Sequence, residues 1–372
     1  MRYYIIAGEA SGDMHAANLM GEIQNLDTQW DFRFWGGDRM QEKGGFLVKH
    51  YKYHSFMGFA EVLTHLPVIL KNLNRCKQDI LKYKPDVLIL VDYPGFNLRI
   101  AEFAHKQGIK VAYYISPQIW AWKENRVHKI KKNVDSMFVI LPFEKEFYKK
   151  HDMDVTFVGH PLLDELKARR QTFDHEKFKK ENELDERPVV ALLPGSRKQE
   201  IKRMLPVMVD VANKYPEYQY VIAGTKHIPE QLYRSIIKNR DVTLLTDKTY
   251  PILQIAKAGM ITSGTASLET ALFYVPQLVM YKASRLSYWI AKKLVNLNYI
   301  SVANLVFDRE VFKEFIQNDC NVSNVSGELY RLLVDQSYRK NMHDSYQLLE
   351  EKLGGSGASQ HTAKGIVKMA KK

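Results

Sequence analysis

The sequence predicts an α/β protein made of two Rossmann-like domains in tandem, each a parallel sheet covered by helices on both faces. Three observations carry this expectation. Short, almost continuously apolar runs alternate with helical patterns along the chain, as strands buried on both faces require. The alternation stops in a charged stretch, Leu166 to Pro188, and then begins again. A chain of 372 residues also exceeds one ordinary core, so two domains of about 150–200 residues are expected.

Taken in order, YYIIA near the N-terminus is the first strand, and AGEASGD (Ala7 to Asp13) is the glycine turn into an amphipathic helix from Met14 to Ile23. DFRFWG, VLILVD (Val87 to Asp92), VAYYIS (Val111 to Ser116), MFVIL (Met137 to Leu141) and VTFVG (Val155 to Gly159) complete the first set of strands. Beyond the charged stretch come VVALLPGS (Val189 to Ser196), YVIAGT (Tyr220 to Thr225), VTLLTD (Val242 to Asp247), GMITSGTAS (Gly259 to Ser267) and QLVMYK (Gln277 to Lys282). From Ser284 onward the pattern is mainly helical, and GGSGAS (Gly354 to Ser359) is a turn before a short basic helix. The expected domains are 1–165 and 166–354. Ligands of open α/β sheets bind at the carboxyl ends of the strands, so two such domains facing each other would enclose a cleft there.

Composition narrows the classes. The hydrophobic fraction, 45%, is that of an ordinary soluble protein. The net charge of +12 calls for an anionic partner: nucleic acid, an anionic lipid surface or a phosphorylated substrate. Cys76 and Cys320 are the only cysteines, far apart and without ligand spacing, which supports neither a disulfide framework nor a zinc site and suits a reducing cytoplasm. No run approaches the roughly 18 apolar residues of a membrane span, and the N-terminus enters a strand at once instead of a signal peptide.

Two turns in the second half suit an anion. LLPGSRKQEI (Leu192 to Ile201) leaves a buried strand through Gly195 and Ser196, with Ser196 read as the helix cap and Arg197 offering a guanidinium fork. A capped helix with a surface arginine is the bland alternative. ITSGTASLETAL (Ile261 to Leu272) repeats the arrangement with Ser263, Gly264, Thr265 and Ala266, and Glu269 lies one turn farther on, where it can accept hydrogen bonds from ribose hydroxyls. Two such turns in one domain favour a diphosphate. Neither is GxGxxG or GxxxxGK[ST], which leaves a sugar nucleotide as the simpler ligand. Asp152-Met153-Asp154 is the one DxD-like string and reads as a solvated turn.

In the first half, Asp92 ends a buried strand in VLILVDYPGFN. A carboxylate there would be partly desolvated and suited to general-base work, while Asn97 looks like the next helix cap. SPQIWAWKENRVHKI (Ser116 to Ile130) sets Trp120 and Trp122 beside Arg126 and Lys129, which fits sugar stacking, a membrane interface or plain core packing. Met57 to Leu73 is more apolar than a half-exposed helix needs and too short to span a bilayer, so it is a core helix or a lipid-facing surface.

AGEASGD, MGFAEV, VDYPGFN, SPQIWAWKENRVHKI, LPFE, FVGHPLLD, LLPGSRKQEI, SGTASLETAL and YISVANLVFDREVFKEFIQ occur in one order across nearly the whole chain. This series resembles the lipid-A-disaccharide synthase family, inverting glycosyltransferases of GT-B architecture. The resemblance implies transfer of 2,3-diacylglucosamine from UDP to 2,3-diacylglucosamine 1-phosphate, making the β-1,6 lipid A disaccharide and UDP. It implies that Gly195, Ser196, Arg197, Ser263, Gly264, Thr265, Ala266 and Glu269 hold the donor, with Asn304 and Gln317 as further cleft residues. Asp92 is then the base for the acceptor 6-hydroxyl, with Arg197 beside the leaving diphosphate. Ser11, Gly12, Asp13, Met57, Trp120 and Trp122 fall on the acceptor side, and the architecture implies that 355–372 packs back on 1–165. Helix dipole and arginine can replace a cation in this architecture, so no metal and no cofactor are expected. The chain is expected in the cytoplasm, in peripheral contact with the anionic inner membrane surface, with a homodimer left open.

Two rivals remain at this level. Another GT-B enzyme using a UDP-sugar, such as a non-hydrolysing 2-epimerase or a lipid-carrier glycosyltransferase, would share the phosphate turns. A basic nucleic-acid-binding protein would account for the charge and leave both turns unexplained.

Overall fold

The structure is a computed structural model that describes residues 1–53, 66–170, 173–284, 288, 289, 292 and 297–371. It divides into two compact units, Met1–Asp164 with Leu353–Lys372, and Glu165–Lys352. Each is one parallel sheet with helices on its faces.

In the first unit the strands are β1 (Arg2–Ala7), β2 (Asp31–Gly36), β3 (Phe46–His50), β4 (Val87–Val91), β5 (Lys110–Tyr114), β6 (Ser136–Val139) and β7 (Thr156–Phe157), in the order β3-β2-β1-β4-β5-β6-β7. Alternation along each strand divides its side chains between two cores. Tyr4, Ile6, Leu88, Leu90, Val111, Tyr113 and Val139 face one way, onto Leu73, Ile80, Ile100 and Ile130 of the helices Leu66–Tyr83, Pro94–Lys106 and Val127–Asn133. Tyr3, Ile5, Val87, Ile89, Val91, Ala112 and Tyr114 face the other, onto Leu19, Ile23, Ile366 and Val367 of the helices Ala10–Leu26 and Ala358–Lys371. Both faces are therefore dry, which is why these strands read as apolar runs without alternation.

The second unit contains β8 (Val189–Leu193), β9 (Gln219–Gly224), β10 (Val242–Thr246), β11 (Ala256–Thr262), β12 (Gln277–Tyr281) and β13 (Glu314–Ile316), in the order β10-β9-β8-β11-β12-β13. All registered pairs in both sheets are parallel. In each sheet the chain winds outward from the centre in both directions, so the strand order reverses between β1 and β4 and between β8 and β11. That reversal leaves a crevice where the flanking helices diverge.

Two strands differ from the sequence expectation. β3 and β13 are edge strands of mixed composition, FLVKH and EFI. Half of their surroundings is not core, so the apolar signal that marks the central strands is diluted. β13 also falls in the segment expected to be mainly helical. The first helix starts at Ala10, well before Met14, and the glycine turn shrinks to Gly8 and Glu9.

The final helix belongs to the first unit because its apolar side completes the second core. FVGHPLLD fastens its start: the His160 N–H donates to Leu353 O at 2.9 Å, and the Asp164 carboxylate accepts from the backbone N–H of Gly357 and of Ser359, the latter at 3.1 Å. The turn between them needs left-handed backbone at Gly354, Gly355 and Gly357, which glycine supplies without steric cost. Asp164→Ala removes that cap from a helix which carries Ile366 and Val367 into the core. It is expected to lower stability by about 1–2 kcal/mol, read as a fall in the urea midpoint, whereas Asp164→Asn retains an acceptor and recovers most of it.

Candidate functional site

In the second unit the two anion-ready turns meet. β8 exits through Pro194, Gly195 and Ser196 into the helix Lys198–Ala212, and β11 exits through Ser263 and Gly264 into the helix Thr265–Leu272. Because β8 and β11 are neighbours on either side of the strand-order reversal, their exit turns line one cavity of about 380 Å³. Gly195, Ser196, Arg197, Ser263, Gly264, Thr265, Ala266 and Glu269 all line it. Glu269 accepts a hydrogen bond from the Tyr250 hydroxyl at 2.8 Å, which orients its carboxylate. Gly195 (φ +104°) and Gly264 (φ +149°) hold backbone that other residues reach only with strain.

The first turn is not built as expected. Ser196 precedes the cap position, which Arg197 occupies. The cap is made by Glu200, whose Oε2 accepts from the N–H of Ser196 at 3.0 Å and of Arg197 at 3.2 Å. Its Oε1 lies 3.5 Å from Arg197 Nη1. A carboxylate of the chain itself thus takes the amides that the sequence suggested for a phosphate, and this turn offers the cavity its guanidinium instead. The second turn has no such internal anion in the described hydrogen bonds. Thr262, 4% exposed, and Thr225 present buried hydroxyls to the same cavity without a hydrogen-bond partner among the described residues. Unpaired buried hydroxyls are costly, and here they face a space that a polar ligand can fill.

Asn304 and Gln317 lie elsewhere in this unit. Asn304 is fully buried: its Nδ2 donates to Phe312 O at 3.0 Å and Glu314 Oε1 at 2.9 Å, and its Oδ1 accepts from the N–H of Val311 at 2.8 Å. These bonds make it a clamp for the entry to β13, contrary to the expected place in a cleft. Gln317 follows β13 in left-handed backbone (φ +55°), with a buried Nε2 that has no described partner.

In the first unit Asp92 leaves β4 beside the equivalent reversal, between the ends of β1 and β4. Asp92 (φ +45°) and Tyr93 (φ +49°) are consecutive left-handed residues without glycine, an arrangement costing on the order of 1–3 kcal/mol per residue and concentrated at functional sites. The surroundings hold it. The Asp92 N–H donates to Tyr114 O at 3.0 Å, and its carbonyl accepts from Asn97 Nδ2 at 2.7 Å and from the Tyr113 hydroxyl at 2.6 Å. Asn97, read as a helix cap, is therefore the clamp on this turn; the cap position belongs to Tyr93. Burial, and secondarily the like charge of Glu9, push the Asp92 carboxyl up to about 6. That is the range of a group able to accept a proton near neutral pH.

The other acceptor-side expectations divide. Asp13 is 3% exposed and wholly engaged: Oδ1 accepts from the N–H of Gly37 at 2.6 Å and Met40 at 3.3 Å, and Oδ2 from the N–H of Arg39 at 3.1 Å. It caps the helix Asp38–Glu42, which packs on the same face of the sheet, and this structural use corrects its assignment to substrate. Gly12 is buried where the first helix meets Ala7, a packing role, while Ser11 is exposed in the first turn of that helix. Met57 lies outside the described residues. Trp120 donates through Nε1 to Glu144 Oε1 at 3.3 Å, and Trp122 is exposed. Glu144, 1% exposed, also accepts from the N–H of Ile140 and Leu141, and its burial pushes it up to about 7.

Asp152 sits in a turn, its N–H donating to Lys149 O at 3.0 Å. Among the described residues no group of three His, Cys, Asp or Glu side chains is placed to hold a metal, and no helix is long and apolar enough to cross a membrane. Sequence reasoning missed Glu200, Thr225, Thr262, Tyr113 and Glu144. Glu200 carried a usable signal, an acid three residues into a helix start. The threonines carried none beyond their place at the ends of apolar strands.

Comparison with known proteins agrees with this geometry. The lipid-A-disaccharide synthetase family profile matches residues 3–366. A lipid-A-disaccharide synthase from Geobacter sulfurreducens is 38% identical over 373 residues, covering 98% of this chain and 96% of its own length. One from Coxiella burnetii is 36% identical over 367 residues, covering 97% and 96%. In fold, the chain is similar to the UDP-GlcNAc 2-epimerase of Neisseria meningitidis bound to UDP-GlcNAc, with a TM-score of 0.71 at 13% identity, covering 99% of this chain and all of that one. The glycotransferase of kitacinnamycin gives a TM-score of 0.67 at 12% identity, covering 99% and 98%. The structural likenesses establish the GT-B fold, which epimerases and transferases share. Identity of this extent over nearly the whole length, together with the family match, shows that the chain belongs to the lipid-A-disaccharide synthase family of glycosyltransferases.

Proposed function

We propose that the chain moves 2,3-diacylglucosamine from its UDP carrier to the 6-hydroxyl of 2,3-diacylglucosamine 1-phosphate, forming a β-1,6 disaccharide 1-phosphate and UDP. The observation that carries this reading is the cavity that gathers Arg197, the Ser263–Ala266 turn and Glu269 at one pair of strand ends. A helix N-terminus and a guanidinium suit a diphosphate, and an oriented carboxylate suits ribose hydroxyls. Asp92 takes the proton of the acceptor 6-hydroxyl as that oxygen attacks C1 of the donor sugar. The bond from C1 to the phosphate oxygen breaks, and its electron pair leaves with UDP. One displacement inverts C1 and requires no covalent intermediate. Arg197 and the amides of the Ser263–Ala266 turn stabilise the charge that develops on the departing diphosphate.

Peripheral contact with an anionic membrane belongs to the same proposal. Leu66, Val68 and Leu70 are exposed at the start of the helix Leu66–Tyr83, beside Lys71 and Arg75. Apolar side chains flanked by cations suit the headgroup boundary from which acylated substrates are drawn. Leu66→Asp/Leu70→Asp is expected to lower sedimentation with phosphatidylglycerol vesicles severalfold while UDP affinity is unchanged. Equal sedimentation would remove this helix from the contact.

Incubation with both diacylglucosamine substrates should yield the disaccharide and stoichiometric UDP by mass spectrometry; a folded, UDP-binding protein that forms neither overturns the reading. Asp92→Asn should reduce kcat by about 10²–10⁴ with little change in donor affinity. In the unaltered protein kcat/KM should fall as pH drops below about 6, where the base is protonated. Stability runs the other way. A carboxyl whose folded pKa exceeds its unfolded value weakens the fold as pH rises through that window. Asp92→Asn should therefore raise the melting temperature at pH 7.5, by on the order of 2 kcal/mol in stability, with the gain vanishing near pH 4.

A further inference from the structure

We propose that Trp122, Lys123 and Arg126 form a binding site for a phosphate monoester, the 1-phosphate of the acceptor sugar, at the carboxyl edge of the first sheet. The segment that carries them is held firmly from below. It leaves β5 through Ile115 in left-handed backbone (φ +65°), a costly state for a β-branched residue. The Ser116 hydroxyl shares a 2.7 Å hydrogen bond with the Tyr148 hydroxyl, and the Trp120 indole N–H donates to the buried Glu144 carboxylate. The Trp120 ring also packs edge-on against Phe143, with centroids 4.9 Å apart.

What this support presents to solvent is an aromatic ring with two cations on it. Trp122 is 46% exposed; Lys123 Nζ lies 4.2 Å and Arg126 Cζ 5.5 Å from its ring centroid. Among the described residues neither cation is in an ion pair, and the neighbouring acid, Glu124, pairs with His151 at 2.9 Å. Burial, and then the charge of Arg126, push the Lys123 ammonium down from its usual range. Two like charges fixed together without a counterion repel, and an anion between them relieves the repulsion. A guanidinium fork and an ammonium suit a phosphate monoester, while the indole offers the apolar face on which a pyranose stacks.

The site shares an edge with the base. Its segment follows β5, which pairs with β4, and the Tyr113 hydroxyl at the end of β5 donates to the Asp92 carbonyl at 2.6 Å. A glucosamine 1-phosphate carries its phosphate on C1 and its 6-hydroxyl on the carbon outside C5, on the two sides of the ring oxygen, so the phosphate can be held while the 6-hydroxyl reaches the carboxylate. The identity of the sugar rests on the transferase reading; the anion chemistry does not.

Titration with glucosamine 1-phosphate, followed by tryptophan emission, tests this. A saturable change is expected that Trp122→Phe abolishes and that glucosamine without phosphate does not produce. Lys123→Ala/Arg126→Ala should raise the half-saturation concentration, and the acceptor KM in the transfer assay, about tenfold or more, with donor KM and UDP affinity unchanged. An unaltered half-saturation in the double variant overturns the site. So does a double variant that loses sedimentation with phosphatidylglycerol vesicles while keeping its glucosamine 1-phosphate response, which would assign these cations to the membrane. If the emission titration behaves as expected but no disaccharide forms, the transferase reading fails and the anion site stands. If disaccharide forms and the titration is flat, the reverse holds.

Discussion

A parallel sheet buried on both faces has only its strand ends available for chemistry, and everything functional in this chain follows from that constraint. The side chains of β1, β4, β8 and β11 are mostly committed to packing, and a polar group among them needs a partner, as the Tyr4 hydroxyl finds in Asp79. The exits of those strands are different. There the helices diverge at the reversal of strand order, and backbone amides, hydroxyls and carboxylates can be exposed on a rigid base. Asp92 occupies such an exit in one unit; Arg197 and the Ser263–Ala266 turn occupy the equivalent exits in the other.

Rigidity at those exits is supplied largely by carboxylates that have no chemical part to play. Asp13, Glu144, Asp164, Glu200 and Glu314 each accept hydrogen bonds from two or more backbone N–H groups. A charged acceptor of this kind fixes a turn more firmly than a neutral one. It also changes the meaning of an acid in a conserved-looking loop string: Asp13 and Glu200 sit in the very strings that suggest ligand binding, and both are used by the fold. Asp92 differs in that its own backbone is clamped by Asn97 and Tyr113, while its carboxyl gathers no backbone N–H groups from another segment in the described hydrogen bonds. The strained turn Asp92–Tyr93 is thus held by neighbours so that the side chain stays available.

Most of the fold was legible from the amino-acid order. The central strands and the interruption near Leu166 follow from hydrophobic patterning, because double burial leaves a strong, local mark on the chain. β3 and β13 left a weak mark because an edge strand is half solvated. The donor-side turns were legible as well, since glycine, small hydroxyl residues and a following amphipathic run form a local signature. Thr225 and Thr262 were not, because a buried hydroxyl facing a cavity has the same sequence appearance as one satisfied in a core.

The sequence by itself determined the α/β class and the family, and it singled out the groups proposed to act on a sugar nucleotide. Each of these depends on residues near one another in the chain, or on an ordered series of such strings. Only the tertiary structure decided which acids the fold itself uses, as Asp13 and Asp164 take backbone N–H groups from far along the chain. Those outcomes depend on which backbone amide or ring arrives from a distant strand, as when the N–H groups of residues 37, 39 and 40 reach Asp13. Hydrogen bonds and ion pairs act over a few ångströms in space, and no spacing along the chain encodes that distance.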